Sequence, residues 1–292
     1  MSLMKGIFWL MFTKKKIRVE ITLQYGKFGN GTNTVTIEEL PISVSIKKEG
    51  FPSMNTAKVF ITGLSSDLME SLTFLNYRVL NINRNYISIY AGDETGMSLA
   101  FAGEISLAKP NFNNAPSVRM EIEAFTGYSS RVVAVPPISI KGNIPVSDIC
   151  SQIASDMGFS FVNDGVTKIA KNPRLSGSNF NKLVNLSKAY NIGVTVDDKT
   201  IRIFNKGKSD RIMLSVSDKN GLIGYPSFEQ NGISCSIEYA QTARLWDKFH
   251  IDTVLSKASG DWFIQSIEHR LDANIQGGLW QTDLRGSYTT YV

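Results

Sequence analysis

Lys16-Ile17-Arg18-Val19-Glu20-Ile21-Thr22-Leu23 places Ile17, Val19, Ile21 and Leu23 on one face and polar side chains on the other. That two-residue period is the pattern of a strand with one face in a core and one in water. The same alternation recurs at Thr34–Ile37, Ile42–Ile46, Ala57–Thr62, Tyr86–Tyr90, Leu99–Leu107 and Val118–Phe125, parted by turn formers such as Gly29-Asn30-Gly31 and Ala91-Gly92-Asp93. Seven short strands in succession predict a sandwich or small barrel over residues 16–130. One helix interrupts them, with Ser65 as its cap and Leu68, Met69, Leu72 and Leu75 at helical spacing.

Beyond the Val135-Pro136-Pro137 break the period changes. Val146, Ile149, Cys150, Ile153, Ala154 and Met157 follow a helical repeat between Pro145 and Gly158. A second helix starts at Ser178 and carries Phe180, Leu183, Val184 and Leu186 before Asn191-Ile192-Gly193. Short strands follow at Phe159–Val162 and Val194–Val196, the latter turning through Asp197-Asp198 into Ile201–Phe204. Residues 131–206 therefore read as an α+β insert. From residue 207 to 292 strands return, at Arg211–Val216, Ile233–Tyr239, Phe249–Val254, Trp262–Ile267 and a run from Leu279 to Val292. The fold class is mainly β with an α+β insert, two small antiparallel β-barrels flanking it. Two β sections of similar size raise a duplicated barrel, although no internal repeat aligns in the sequence.

The 292 residues are 42% hydrophobic and 20% charged, a globular composition and not a disordered or collagenous one. Charge is concentrated at the start: residues 1–20 hold Lys5, Lys14, Lys15, Lys16 and Arg18 against Glu20. Of 31 basic and 26 acidic groups, 26 and 25 then remain for the rest of the chain. A groove that tracks phosphates has no compositional support there, so sequence-specific nucleic acid is not expected as a partner. The N-terminal segment 1–15 includes the apolar run Ile7-Phe8-Trp9-Leu10-Met11-Phe12, too short to span a bilayer and followed rather than preceded by basic residues. Neither secretion nor stable membrane insertion is expected. Met1-Ser2-Leu3 reads as a leader with Met4 as the native start, and the aromatic run as a free end or a docking segment. Lys14-Lys15-Lys16 with those aromatics would suit an anionic surface, but reads more simply as the solvated start of the first strand.

Catalytic signatures are missing: no Gly-x-Ser-x-Gly elbow, no phosphate loop, no dinucleotide glycine motif, no His-Glu-x-x-His. Cys150 and Cys235 lie in no metal spacing and fall on apolar faces, so they read as buried structural thiols. His250 and His269 are the two histidines. Only Glu268-His269-Arg270 sets a histidine between opposite charges, and neighbours on a strand face opposite ways. The carboxylate pairs Asp197-Asp198, Asp93-Glu94 and Glu38-Glu39 would suit a glycosidase if they converged, but each sits at a turn or strand end where acidic residues serve the backbone. No catalytic, cofactor-binding or metal-binding residue is assigned.

Two sets of segments carry a resemblance. The first is Ile42-Ser-Val-Ser-Ile-Lys-Lys48, Asn55-Thr-Ala-Lys-Val-Phe-Ile-Thr-Gly-Leu64, Ile87-Ser-Ile-Tyr-Ala-Gly92 and Phe101-Ala-Gly-Glu-Ile105. The second is Gly224-Tyr-Pro-Ser-Phe-Glu-Gln-Asn-Gly232, Asp261-Trp-Phe-Ile-Gln-Ser-Ile-Glu-His269 and Trp280-Gln-Thr-Asp-Leu284. In this order they resemble the baseplate hub proteins of contractile-tailed bacteriophages, the group of late control protein D and related type VI and tailocin hub modules. The resemblance implies two related barrels per chain, three chains in a ring of pseudo-sixfold symmetry, and a structural role in a phage or prophage tail. The protein would join the sixfold tail tube to the trimeric central spike in the virion baseplate, after synthesis in the bacterial cytoplasm. Its partners would be itself as a homotrimer, the tail tube protein and the central spike protein. Spike and wall-cutting activities would lie in other proteins, and any lumen would pass DNA without reading it.

Ring closure needs one patch to meet a different patch on the next copy. Strands such as Ile42–Ile46, free of proline and buried charge, are candidates to extend a partner's sheet, and Trp246, Trp262 and Trp280 are candidate anchors. The alternative is a cell-wall or carbohydrate-binding module whose Trp9, Trp246 and Trp280 stack on sugar rings. A hydrolase whose carboxylates converge only in the fold is a third reading. Apolar rim patches favour the hub, coplanar aromatics in a groove the module, and carboxylates in a cleft the hydrolase.

Overall fold

A computed structural model describes residues 13–29, 31–73, 84–113, 115–206 and 212–288. The run Ile7–Phe12, Trp9, Leu75, Arg211 and the last residues of the terminal run lie outside these. The first section forms β1 (Lys15–Thr22), β2 (Thr34–Ile37), β3 (Ile42–Glu49), β4 (Thr56–Thr62), α1 (Ser66–Leu72), β5 (Tyr86–Asp93), β6 (Gly96–Asn111), β7 (Arg119–Phe125) and a short α2 (Tyr128–Val132). The alternation in β1 does what it predicts: Ile17, Val19 and Ile21 are fully buried. Ser65 caps α1 by accepting from the Leu68 amide.

The middle section forms β8 (Ile138–Ser139), β9 (Asn143–Pro145), α3 (Val146–Asp156), β10 (Ser160–Asp164), β11 (Ile169–Lys171), β12 (Arg174–Leu175), α4 (Asn179–Tyr190), β13 (Ile192–Asp197) and β14 (Thr200–Asn205). In α3, Val146, Ile149, Cys150, Ile153 and Ala154 are buried on one stripe. Ser178 caps α4 through the Asn181 amide, and Asn191, at φ 46°, ends it in the left-handed conformation. These helices cover a three-stranded sheet ordered β10-β14-β13. The strand expected at Phe159–Val162 is present as β10 at the edge of this sheet, with Phe161 packed against the core and Val162 facing water.

The last section forms β15 (Ile212–Ser217), β16 (Leu222–Glu229), β17 (Gly232–Glu238), β18 (Lys248–Asp252), β19 (Gly260–Ala273) and β20 (Trp280–Ser287). β16 was not anticipated, because Gly224 and Pro226 break its alternation. The protein is mainly β, and the first and last sections share one thirteen-stranded sheet ordered β16-β17-β20-β19-β3-β4-β7-β6-β5-β1-β2, with β18 on β19 and β15 on β18. The path among the described strands is open, running from β16 to β2 with no ladder joining its ends. Two separate cores nevertheless line it. β19 serves both: Trp262, Ile264 and Ile267 enter the core of the last section, while Leu271 and Ala273 enter that of the first. The insert has a third core of its own.

The sheet repeats itself. β3-β4-β7-β6-β5-β1 and β16-β17-β20-β19-β18-β15 are the same path: a hairpin, then a three-strand meander whose last strand returns to the hairpin's second strand. The middle strands are the long ones, 16 and 14 residues, each with one bulge against the strand that follows it, between Ile105 and Leu107 and between Ile264 and Ser266; β6 has a second, at Ala100 against β5. One rung differs, since β1 runs antiparallel to β5 and β15 parallel to β18. The duplication invisible in the residues is therefore plain in the topology.

Candidate functional site

Among the described residues, the edge of the sheet at β16 carries several exposed apolar side chains. Among the described strands it pairs with β17 alone, and Ile223 (42% exposed), Tyr225 (70%) and Phe228 (56%) project into water from it. Its ladder is interrupted between Ile223 and Ser227, so Gly224, Tyr225 and Pro226 loop off the partner. Beside its turn, Phe228, Trp262 and Tyr288 line a shallow cup of about 360 Å³. Monomeric proteins seldom leave a bare strand edge with large apolar side chains, because such an edge templates pairing with another chain.

The strand expected to recruit a partner, Ile42–Ile46, lies inside the sheet. β3 has β4 on one side and β19 on the other, so its edges are satisfied within the chain. The tryptophans are likewise not rim anchors. Trp262 is 1% exposed and donates its indole N–H to the Ala258 carbonyl at 2.9 Å, with Tyr288 packed on its ring at 4.0 Å. Trp280 packs edge-on against Tyr239 at 5.6 Å. Trp246 lies against Gly50, where an added Cβ would come within 2.8 Å of the indole.

The outward face of β3, β19, β20, β17 and β16 forms a polar groove of about 360 Å³. Its cations are each matched: Lys47 with Glu268 at 3.6 Å, Arg285 with Glu229 at 3.3 Å, and Arg270 with Asp283. Glu268 also accepts from Ser45 at 2.9 Å. His269 points the other way, as strand geometry requires. It is buried, 2.9 Å from the Thr282 hydroxyl, and burial followed by the nearby Lys48 charge pushes its pKa down to about 3.

Under that face lies the joint between the sheet and the insert. Lys48, on the buried side of β3, reaches Asp197 at 2.8 Å and Asp198 at 3.5 Å in the β13–β14 turn. Asn55 donates to Asp197 at 3.0 Å and to the Val196 carbonyl at 3.2 Å, and the Ala102 amide of β6 donates to Asp198 at 2.9 Å. Burial lowers the Lys48 pKa, but the two carboxylates more than offset this and hold it above its usual value. Burial dominates at Asp198 and pushes it up to about 6 despite Lys48. A second bond ties the insert to the last section, Arg202 bridging Asp164 at 2.8 Å and the buried Asp247 at 3.3 Å.

The other acidic pairs are also spoken for. Asp93 accepts from Thr95 and Thr13, which holds it down at about 2. Glu38 and Glu39 lie 4.0 and 3.9 Å from Lys16 and Lys14, which also accounts for two lysines of the basic cluster. None of the three pairs converges with another into a cleft among the described residues. Cys150 and Cys235 are buried, and burial pushes both thiols up to about 12. Among the described residues no group of three His, Cys, Asp or Glu side chains is placed to hold a metal, and no helix is long and apolar enough to cross a membrane.

This mainly β chain with a repeated strand path has the fold of phage tail proteins. It is similar to a tail protein from Neisseria meningitidis MC58, at 9% identity over 93% of this chain and 96% of that one, with a TM-score of 0.63. It is similar to the 43 kDa tail protein of prophage MuSo2 from Shewanella oneidensis, at 9% identity over 95% and 97%, with a TM-score of 0.64. A third likeness is to the E. coli c3393 protein, a type VI secretion component described as structurally similar to the T4 tail proteins gp27 and gp5. That match has 10% identity over 86% of this chain and 74% of that one, with a TM-score of 0.55. No curated protein matched the sequence. The family described as Baseplate hub gp41 matches residues 16–276, and the chain belongs to that family. It is a hub-like component of a phage or prophage tail baseplate.

Proposed function

We propose that this chain is the adaptor of its baseplate, a structural and non-catalytic protein of which three copies close a ring between the sixfold tail tube and the threefold central spike. Its units are a first barrel-like domain at 16–130, the insert at 131–206 and a second barrel-like domain at 207–292, preceded by the segment 1–15. The carrying observation is the repeated strand path. A chain that presents two like units gives six in a trimer, so a threefold particle offers a sixfold face. The tube protein and the spike protein are the partners this symmetry calls for, and synthesis falls in the host cytoplasm before assembly.

The near-balance of charge outside residues 1–20 suits stacking of protein on protein rather than reading of nucleic acid. The sugar-binding alternative gains nothing from the described tryptophans, which are packed in cores or half-buried. Light scattering over a concentration series, with negative-stain images, tests the ring: the expected mass is three times 32.4 kDa, with annular particles. A stable dimer or tetramer would refute it.

A further inference from the structure

The near-balance of charge beyond residue 20 hides an uneven split. Residues 131–206 hold ten basic and five acidic residues, whereas 21–130 and 207–292 together hold sixteen and twenty. Three of the insert's five carboxylates are engaged, Asp197 and Asp198 by Lys48 and Asp164 by Arg202, which leaves Asp148 and Asp156 on α3. On the sheet, Lys47, Lys58, Arg119, Arg270 and Arg285 each have a carboxylate partner. In the insert, among the described residues, Lys141, Lys171 and Arg174 have none.

These three cations share one element. β8 and β9 run antiparallel to β12 and β11: Arg174 stands opposite Ser139, Lys171 opposite Asn143 and Ile169 opposite Pro145, with Lys141 in the link between β8 and β9. Between the two short ladders the Ile140 amide donates to the Pro173 carbonyl at 3.1 Å, the Asn172 amide to the Gly142 carbonyl at 2.8 Å, and the Gly142 amide to the Asn172 side chain at 2.8 Å, so the ribbon is continuous. Its inner side chains Ile138, Ala170 and Leu175 are buried in the insert's core. The three cations are exposed, and Ile169, 60% exposed, stands beside them. At the end where β8 meets β12 lies a hollow of about 220 Å³, lined by Pro137, Ile138, Ser139, Arg174, Leu175 and Ser176. That falls below the usual range of small-molecule sites, about 300–1,000 Å³, and suits a single side chain.

We propose that this ribbon is the docking site of an acidic polypeptide segment, which seats one apolar side chain in the hollow and sets its carboxylates against Arg174, Lys171 and Lys141. The assignment goes beyond the adaptor reading and does not depend on the ring. Ile138 and Leu175 give the hollow an apolar lining and Arg174 puts a guanidinium at its rim, a combination that matches an aliphatic group next to a carboxylate. A phosphate would leave the apolar lining unmatched. Nucleic-acid backbones are tracked by many cations and single strands by aromatic platforms, whereas the ribbon offers three cations and no aromatic side chain. A bilayer surface calls for more apolar area than Ile169 supplies.

The test follows the fluorescence anisotropy of a labelled peptide of glutamates around one leucine, titrated with the full chain at low salt. Binding is expected, and the double charge reversal Lys171→Glu with Arg174→Glu should weaken it at least ~tenfold, as should raised salt. Ser139→Phe, which fills the hollow at constant charge, should weaken it as well, and so should alanine in place of the peptide's leucine. Lys219→Glu, an exposed cation of the last section, should leave it unchanged. All four positions are exposed, so the variants are expected to melt with the parent. No binding, or binding that survives the charge reversal, overturns the site. Binding that ignores both Ser139→Phe and the loss of leucine overturns the seated side chain. A DNA duplex or phosphatidylglycerol vesicles held more tightly through the same cations overturn the polypeptide partner. A chain that takes the peptide but forms no trimer upholds this site while refuting the ring.

Discussion

Replacing Lys48 by methionine removes the cation that the structure places between Asp197 and Asp198. At an effective dielectric of about 20, contacts at 2.8 and 3.5 Å are each worth about 5–6 kcal/mol of Coulomb attraction, much of it offset by desolvating an ammonium group. Removing one partner of such a buried set costs about 3–5 kcal/mol, because Asp197 and Asp198 are left facing each other. For a chain of 292 residues, with an unfolding entropy near 2 cal/mol/K per residue, that lowers Tm by about 5–8 °C. Lys47→Met is the control one residue away: its side chain is 54% exposed and its pair with Glu268 is at the surface, so a change under about 1 kcal/mol is expected. Scanning calorimetry of both variants at pH 7 measures the difference. If Lys48→Met melts within 2 °C of Lys47→Met, the joint between sheet and insert is not held as argued.

The same joint has a pH signature. The depressed His269 costs stability as pH falls from its unfolded value of about 6.5 toward 3, whereas the raised Asp198 adds stability as pH falls from about 6 to about 4. The two slopes oppose each other, so Asp198→Asn should steepen the acid loss between pH 6 and 4 by at most about 3 kcal/mol; denaturant titrations of equal slope in both proteins would contradict this. An added Cβ at Gly232 would lie 1.9 Å from the Gly286 carbonyl oxygen, so Gly232→Ala should push β17 off β20 at about 1–3 kcal/mol, against under about 0.5 for Gly29→Ala, where nothing lies within 4 Å. Cys150 and Cys235 should resist a thiol reagent at pH 8 in the native protein and both react in denaturant; prompt labelling of either under native conditions would contradict their burial.

Much of the fold was legible because local signals and tertiary demands agree. The alternation in β1, the stripe in α3 and the Ser65 and Ser178 caps each name an element that the structure contains. The candidate site was far less legible. β16 escaped because this bulged edge strand buries only Pro226 and leaves most of its side chains exposed, and Gly224 and Pro226 erase what pattern remains. Ile42–Ile46 looked like a free edge because its residues suit any sheet; only the long-range partner β19, more than two hundred residues away, shows that it is taken. Asp197-Asp198 was read as turn chemistry, and it is a turn, with Asp198 at φ 51°. Yet the lysine that gives the pair its structural weight is 149 residues distant, and no spacing rule reaches that far. The topological repeat left no residue pattern, since the two halves keep the strand order and the bulge on the long middle strand but not side chains.

β19 has its first residues in one core and its last in another, so the two β sections share a covalent member and not merely a surface. Turning one section against the other would require shearing the eight-residue ladder between β3 and β19, all of whose rungs resist together. A force applied to either section passes along a peptide backbone rather than across a packed interface that can slip. On this ladder the two sections are expected to move as one piece, so whatever yields under load has to be sought at the joints with other molecules.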